Sequence, residues 1–115
     1  MNKTNRMIAA AVIAAVDVQM AEKEARTSSD VSKVLIHGVP CITINRRRRE
    51  IILHGADTMC SKKSSKLINT VLSAFCEAKV KNNNDRWFVK PSATEKTIEF
   101  TDLDYIISVP DMKLM

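Results

Sequence analysis

Between residues 61 and 80 the large apolar side chains fall at Leu67, Ile68, Val71, Leu72, Phe75 and Cys76. That spacing traces one face of a 3.6-residue period, and Lys66, Asn69, Thr70, Ser73 and Glu77 fill the other face. The pattern predicts an amphipathic helix over Ser61–Val80. Thr58 and Ser61 are residue types that accept the orphan N–H groups of a helix start. Asn82-Asn83-Asn84-Asp85 is a turn cluster beyond its end. Burial of the five largest of these side chains contributes roughly 1.5–3 kcal/mol each before conformational entropy is subtracted. This helix is therefore the expected centre of the core.

Upstream the pattern turns to short runs rich in Val and Ile: Val31–His37, Cys41–Asn45 and Glu50–His54. Gly38-Val39-Pro40 and Arg46-Arg47-Arg48-Arg49 separate them, which predicts a three-stranded antiparallel meander. Downstream, Arg86–Lys90, Thr97–Phe100 and Tyr105–Val109 read as further strands. Turns are expected at Pro91-Ser92-Ala93-Thr94 and Thr101-Asp102, and residues 110–115 form a loose tail.

Residues 1–26 admit two readings. Lys3 and Arg6 before the apolar run Met7–Val16 imitate a secretory signal peptide. No small-x-small cleavage site follows, however, and the helical pattern continues through Met20 and Ala25, which favours one Ala-rich helix ending near Arg26. The run is short of the ~20 apolar residues that a membrane span needs. A helix this apolar over its first half needs a cover, either the domain's own sheet or a second copy of the chain, which leaves a homodimer through the N-terminal helix open. The element order is α-β-β-β-α-β-β-β. It predicts an α+β fold with both helices packed on one sheet, a single domain over residues 1–115 with its α+β core at 31–109.

The chain has 115 residues, enough to bury about two-thirds of its potential surface. With two glycines and three prolines it is neither linker nor low-complexity sequence, and it contains no internal repeat. Three cysteines, Cys41, Cys60 and Cys76, are an odd count, read as buried free thiols in a reducing compartment. A net charge of +5 and a pI near 9.3 direct attention to acidic partners.

The arginine tract, Arg46 to Arg49, should crown the hairpin between the second and third strands. Adjacent guanidinium groups repel by about 1 kcal/mol per pair in high dielectric unless an anion settles among them. Their planar forks suit phosphates and carboxylates. The alternative is a solubilising loop that blocks aggregation at a sheet edge. A second basic cluster, Lys62, Lys63 and Lys66, lies at the predicted helix start, where free N–H groups and the positive dipole end favour an anion. No Gly-rich loop precedes it, which excludes a Walker-type nucleotide site. Trp87 and Phe88 sit between Arg86 and Lys90 on a strand, an arrangement that can stack on single-stranded bases, although at least one of the pair is expected in the core.

Weaker constellations are set aside. His37, Cys41, His54 and Cys60 match no standard zinc spacing, although a hairpin symmetric about its arginines puts Cys41 opposite His54. His37 and His54 precede glycine and read as turn histidines bonded to backbone. Asp102 with Asp104, and Glu50 with Asp57, are carboxylate pairs with no Lys or His partner at a spacing a nuclease would use. No metal, cofactor or catalytic residue is predicted.

Several short motifs recur together: Ile36-His37-Gly38, Ile42, Ile51-Ile52-Leu53-His54-Gly55, Thr58 with Ser61, Ser64 and Ser65, and Leu67-Ile68-Asn69. They continue as Lys81-Asn82-Asn83, Trp87-Phe88-Val89 and Phe100-Thr101-Asp102. In this order they resemble a family of small conserved tailed-bacteriophage proteins, over roughly residues 34–102. The chain departs from that pattern at Ala56-Asp57, where the family has an aromatic residue, and its arginine tract and N-terminal helix lie outside the similarity. The resemblance implies a phage origin and a host-cytoplasm location. It supplies no known activity.

The expectation is a non-enzymatic phage accessory protein that binds an acidic partner. Nucleic acid is the first candidate, contacted by Arg46, Arg47, Arg48, Arg49, Lys62, Lys63, Lys66 and Arg86. The alternative is a protein-binding module that docks on a host enzyme or defence complex. No membrane partner is expected.

Overall fold

The computed structural model describes residues 3–54, 62–83, 86–100, 104–110 and 112. They form an α+β fold in which strands dominate, with two helices and nine strands in two antiparallel sheets.

Helix α1 spans Lys3–Ala14, half the length expected from the periodicity. It ends in a Schellman arrangement: Ala15 takes a left-handed φ of 57°. The Val16 N–H bonds the Ala11 carbonyl at 3.0 Å and the Ala15 N–H bonds that of Val12 at 3.1 Å. Glycine or asparagine normally marks such a stop; alanine here gave no signal. The segment expected to continue the helix to Arg26 instead forms β1 (Val18–Met20) and most of β2 (Lys23–Ser28). Their burial alternates rather than following a helical period, because Lys23 and Ala25 point to the core while Arg26 points out.

β3 (Val31–Ile36), β4 (Val39–Asn45), β5 (Glu50–Leu53) and β9 (Tyr105–Ser108) extend this sheet in the order β1-β2-β3-β4-β5-β9. The β3–β4 connection is the two-residue turn His37-Gly38, with φ of 52° and 77°, the double left-handed signature of a type I′ hairpin. Val39 and Pro40, expected within that turn, belong to β4. Two rows of side chains cross the inner face. One runs Ala25–Val34–Ile42–Leu53–Tyr105, the other Ser32–Ile44–Ile51–Ile107.

Helix α2 covers Lys62–Leu72, and Leu67, Ile68, Val71 and Leu72 are fully buried as its periodicity requires. The helix does not reach Val80. Thr70 and Ser73 turn their hydroxyls back onto the carbonyls of Lys66 and Thr70, a bonding mode that weakens a helix end. Phe75 and Cys76 sit half-buried on the turns that follow. The chain then enters β6 (Lys79–Asn83), which pairs with β7 (Arg86–Lys90), itself paired with β8 (Ile98–Phe100). These three strands make a second sheet, whereas the sequence pattern implied one. The expected caps Thr58 and Ser61 lie outside the described residues, as do Asn84 and Asp85 of the predicted turn; Asn82 and Asn83 are in β6.

Helix α2 packs against α1, β4 and β6 and so joins the two sheets. Asn69 completes the join: its side-chain amide donates to the Val80 carbonyl at 2.9 Å and its oxygen accepts from the Val80 N–H at 2.7 Å. The aromatic rings of Trp87, Phe100 and Tyr105 run from β7 through β8 to β9, with centroids 6.5 and 6.2 Å apart. Ile8, Ala11 and Val12 of α1 are buried within the chain itself, so its own domain supplies the cover that this helix requires.

Candidate anion-binding surfaces

The arginine tract forms the four-residue turn between β4 and β5, closed by the Arg49 N–H on the Arg46 carbonyl at 3.3 Å and by the Arg48 N–H on Asn45 Oδ1 at 3.1 Å. Its four side chains are not equivalent. Arg46 is half-buried and donates to Ser32 Oγ at 2.7 Å and to the backbone carbonyl of Val12. Val12 lies in the last turn of α1, where carbonyls lack helical partners and the dipole end is negative. Arg46 is thus a C-terminal cap for α1, reaching it from across the sheet. Partial burial pulls its guanidinium down from the ordinary value, with the Asp30 carboxylate acting in the opposite direction. Arg49 takes a left-handed φ of 55° and donates to the Pro110 carbonyl at 2.8 Å, fastening the turn to the chain after β9. Arg47 and Arg48 project beside Ser29, Asp30, Val31 and Asn45, exposed and with no ion pair among the described residues.

The other basic residues singled out in the sequence do not join this turn. Lys66 is exposed on α2 and lines a hollow with Thr4, Asn5 and Lys23 at the start of α1. Arg46 meets α1 at Val12, eight residues or about 12 Å further along its axis. In the same hollow the buried Lys23 ammonium donates to Asn5 Oδ1 at 2.8 Å. The side chains of Lys62 and Lys63 lie outside what the structure describes. Arg86, on β7, is clamped by Glu99 through two hydrogen bonds of 2.7 and 2.8 Å. That clamp raises Arg86 and holds the Glu99 carboxyl below its usual range.

A surface that the sequence reading missed is the outer face of β6-β7-β8. Strand alternation sends Val80, Trp87, Val89 and Phe100 inward, where each is at most 6% exposed. Lys79, Lys81, Lys90 and a half-buried Phe88 occupy the opposite face. Register places Lys79 directly opposite Lys90, and Phe88 between Lys81 and Glu99. Alternating Lys-x-Lys and Phe-x-Lys spacings were the available signal, obscured because Lys79 was assigned to a helix.

His54 also departs from expectation. It does lie opposite Cys41, whose carbonyl accepts its N–H at 3.1 Å. Its ring, however, meets side chains rather than backbone: Nε2 is 2.6 Å from Thr43 Oγ1 and Nδ1 is 3.6 Å from Asp104 Oδ1. Asp104 therefore has the histidine partner that the sequence reading denied it. The order hydroxyl–imidazole–carboxylate is that of a nucleophilic relay, but Thr43 is only 6% exposed, and the arrangement ties β4, β5 and β9 together. No group of three or more His, Cys, Asp or Glu side chains that could hold a metal is gathered among the described residues. The buried Cys41 thiol donates to the Val34 carbonyl at 3.4 Å, and burial pushes Cys76 up; Cys60 lies outside the described residues.

No protein-family model, no curated protein and no solved structure matches the chain. Among the described residues no helix is long and apolar enough to cross a membrane.

Proposed function

We propose that the chain is a non-enzymatic phage accessory protein that binds nucleic acid, with Arg47 and Arg48 as phosphate contacts. The observation that carries this reading is the division within the arginine turn. Arg46 and Arg49 fasten the loop to carbonyl oxygens elsewhere in the chain, and Arg47 and Arg48 are left exposed beside one another without an acidic partner among the described residues. Adjacent unpaired guanidiniums repel, a phosphate relieves the repulsion, and the planar fork fits its oxygens bidentately. The net charge of +5 attracts a polyanion over longer range. The phage origin and host-cytoplasm location implied by the resemblance belong to the same proposal.

The test is a binding titration with single- and double-stranded DNA and RNA, comparing wild type with Arg47→Ser/Arg48→Ser. Loss of two phosphate contacts should weaken binding to unrelated sequences alike and lower the duplex salt slope by about 2. The unfolding midpoint should stay unchanged, a control that replacing all four arginines would forfeit. No binding of the wild type at roughly micromolar concentration in low salt removes the proposal.

One feature favours a second reading, a module that docks on a host enzyme or defence complex. β9 ends the six-stranded sheet, and Ile106 on it is 56% exposed beside a groove that Pro91, Ile98 and Tyr105 help to line. Free strand edges invite pairing with another chain. Affinity purification from host lysate separates the readings: a stoichiometric protein retained at high salt and lost on Ile106→Lys supports this one.

A further inference from the structure

We infer that the outer face of β6-β7-β8 is a platform for single-stranded nucleic acid, with Phe88 stacking on a base and Lys79, Lys81 and Lys90 meeting the flanking phosphates. The inference rests on the nucleic-acid reading above but concerns a different surface and a narrower partner.

Three observations converge on it. Lys79 and Lys90 are a directly opposed cross-strand pair, and like charges in that position destabilise a sheet. Neither has an acidic partner among the described residues, and neither does Lys81, two residues along the same strand on the same face. Among the described residues, the one carboxylate that register places on this face, Glu99 opposite Phe88, is taken by Arg86. Second, the residue at the centre of the basic face is aromatic. Trp87 goes inward to meet Phe100, but Phe88 faces outward and remains part-exposed. With Lys79, Lys81, Lys90, Thr97 and Asn69 it lines a shallow pocket of about 260 Å³. Third, side-chain hydrogen bonds tie both sides of the face. Asn69 fixes the β6 edge at Val80, and the Arg86–Glu99 clamp fixes the β7–β8 pair beside Phe88.

The chemistry of the face selects the occupant. Lysines alone attract any polyanion, but an aromatic face among them adds stacking, which is sequence-tolerant because every base has a π-face. In a duplex those faces are covered by neighbouring base pairs, so Phe88 can be used only by an unpaired strand. Backbone phosphates spaced along such a strand can meet lysines on two adjacent β-strands on either side of the stacked base.

Fluorescence anisotropy with labelled oligothymidine and with a labelled duplex tests this on the full chain. Phe88→Ala should weaken oligothymidine binding roughly 5- to 150-fold and leave duplex binding unchanged. Phe88→Trp should restore it, and fluorescence from this surface indole should be quenched as oligothymidine is added. Lys79→Ser/Lys90→Ser should lower the single-strand salt slope by about 1.4. Equal binding by Phe88→Ala and wild type, with no quenching in Phe88→Trp, overturns the platform while leaving the Arg47/Arg48 proposal standing. Wild-type binding to neither probe overturns both. Polyglutamate binding with the same dependence on Phe88 overturns the platform and assigns the face to an acidic protein chain.

Discussion

At the arginine turn, two of four guanidiniums are bonded to carbonyl oxygens of other segments. On the outer face of β6-β7-β8, three lysines have no such bonds among the described residues and two of them oppose each other directly. The turn looks the more strongly charged in sequence and is the less available in the fold. Arginine explains the difference: five donors on a planar fork let it cap a helix or clasp a carbonyl, so a cluster of arginines is as much a fastening as a charge. The ammonium groups of Lys79, Lys81 and Lys90 are point charges on flexible stems with no hydrogen bond or ion pair among the described residues, so their charge stays available. The number of basic residues in a stretch is therefore a poor measure of the charge it can offer a ligand.

Four substitutions put this contrast under strain. Asn69→Ala leaves the N–H and carbonyl of the buried Val80 unpaired, and should cost about 2–4 kcal/mol in urea denaturation. Hydrogen exchange should rise first in β6 and β7 while the arginine turn stays protected. Equal loss of protection at both places would show that the two surfaces are not separately held. Arg46→Ala uncaps α1 and strips Ser32 of a partner; about 1–3 kcal/mol is expected, against less than about 0.5 kcal/mol for Arg48→Ala. Matching unfolding midpoints would erase the distinction between fastening and free arginines. The smallest effect concerns Glu99. Its carboxyl is held below the usual range by hydrogen bonds from Arg86, so the pair contributes stability above the ordinary glutamate range and loses it as pH falls through the lowered value. Both side chains are substantially exposed, which keeps the contribution small. In Arg86→Gln the Glu99 titration followed by NMR should return upward to the ordinary glutamate midpoint.

The helix at Leu67–Leu72 and the strands around Val34, Ile42 and Ile51 were legible because their apolar residues follow one period without interruption. What failed was termination. Ala15 and Ala21 each adopt a left-handed φ that no glycine or asparagine announces, so an alternating segment at 18–26 was absorbed into a helix. Val80 was likewise absorbed into α2, since only the pairing with β7 and the grip of Asn69 reveal it as a strand. The candidate surfaces inherited these errors. The arginine tract was found as a hairpin tip from its position between two good strands, but its internal division depends on Val12 and Pro110, partners that local pattern cannot supply. The lysine face required the correct start of β6 before Lys79, Lys81 and Lys90 could share a side.

The clasp between Arg46 and Val12 joins residues 34 positions apart, and the apolar side of α1 rests in part on α2, later still in the chain. During synthesis the first helix must therefore emerge with its apolar side uncovered and only its local Schellman stop in place, and wait for later segments before it can dock. Fragments cut before the arginine turn should expose that apolar side and precipitate rather than fold.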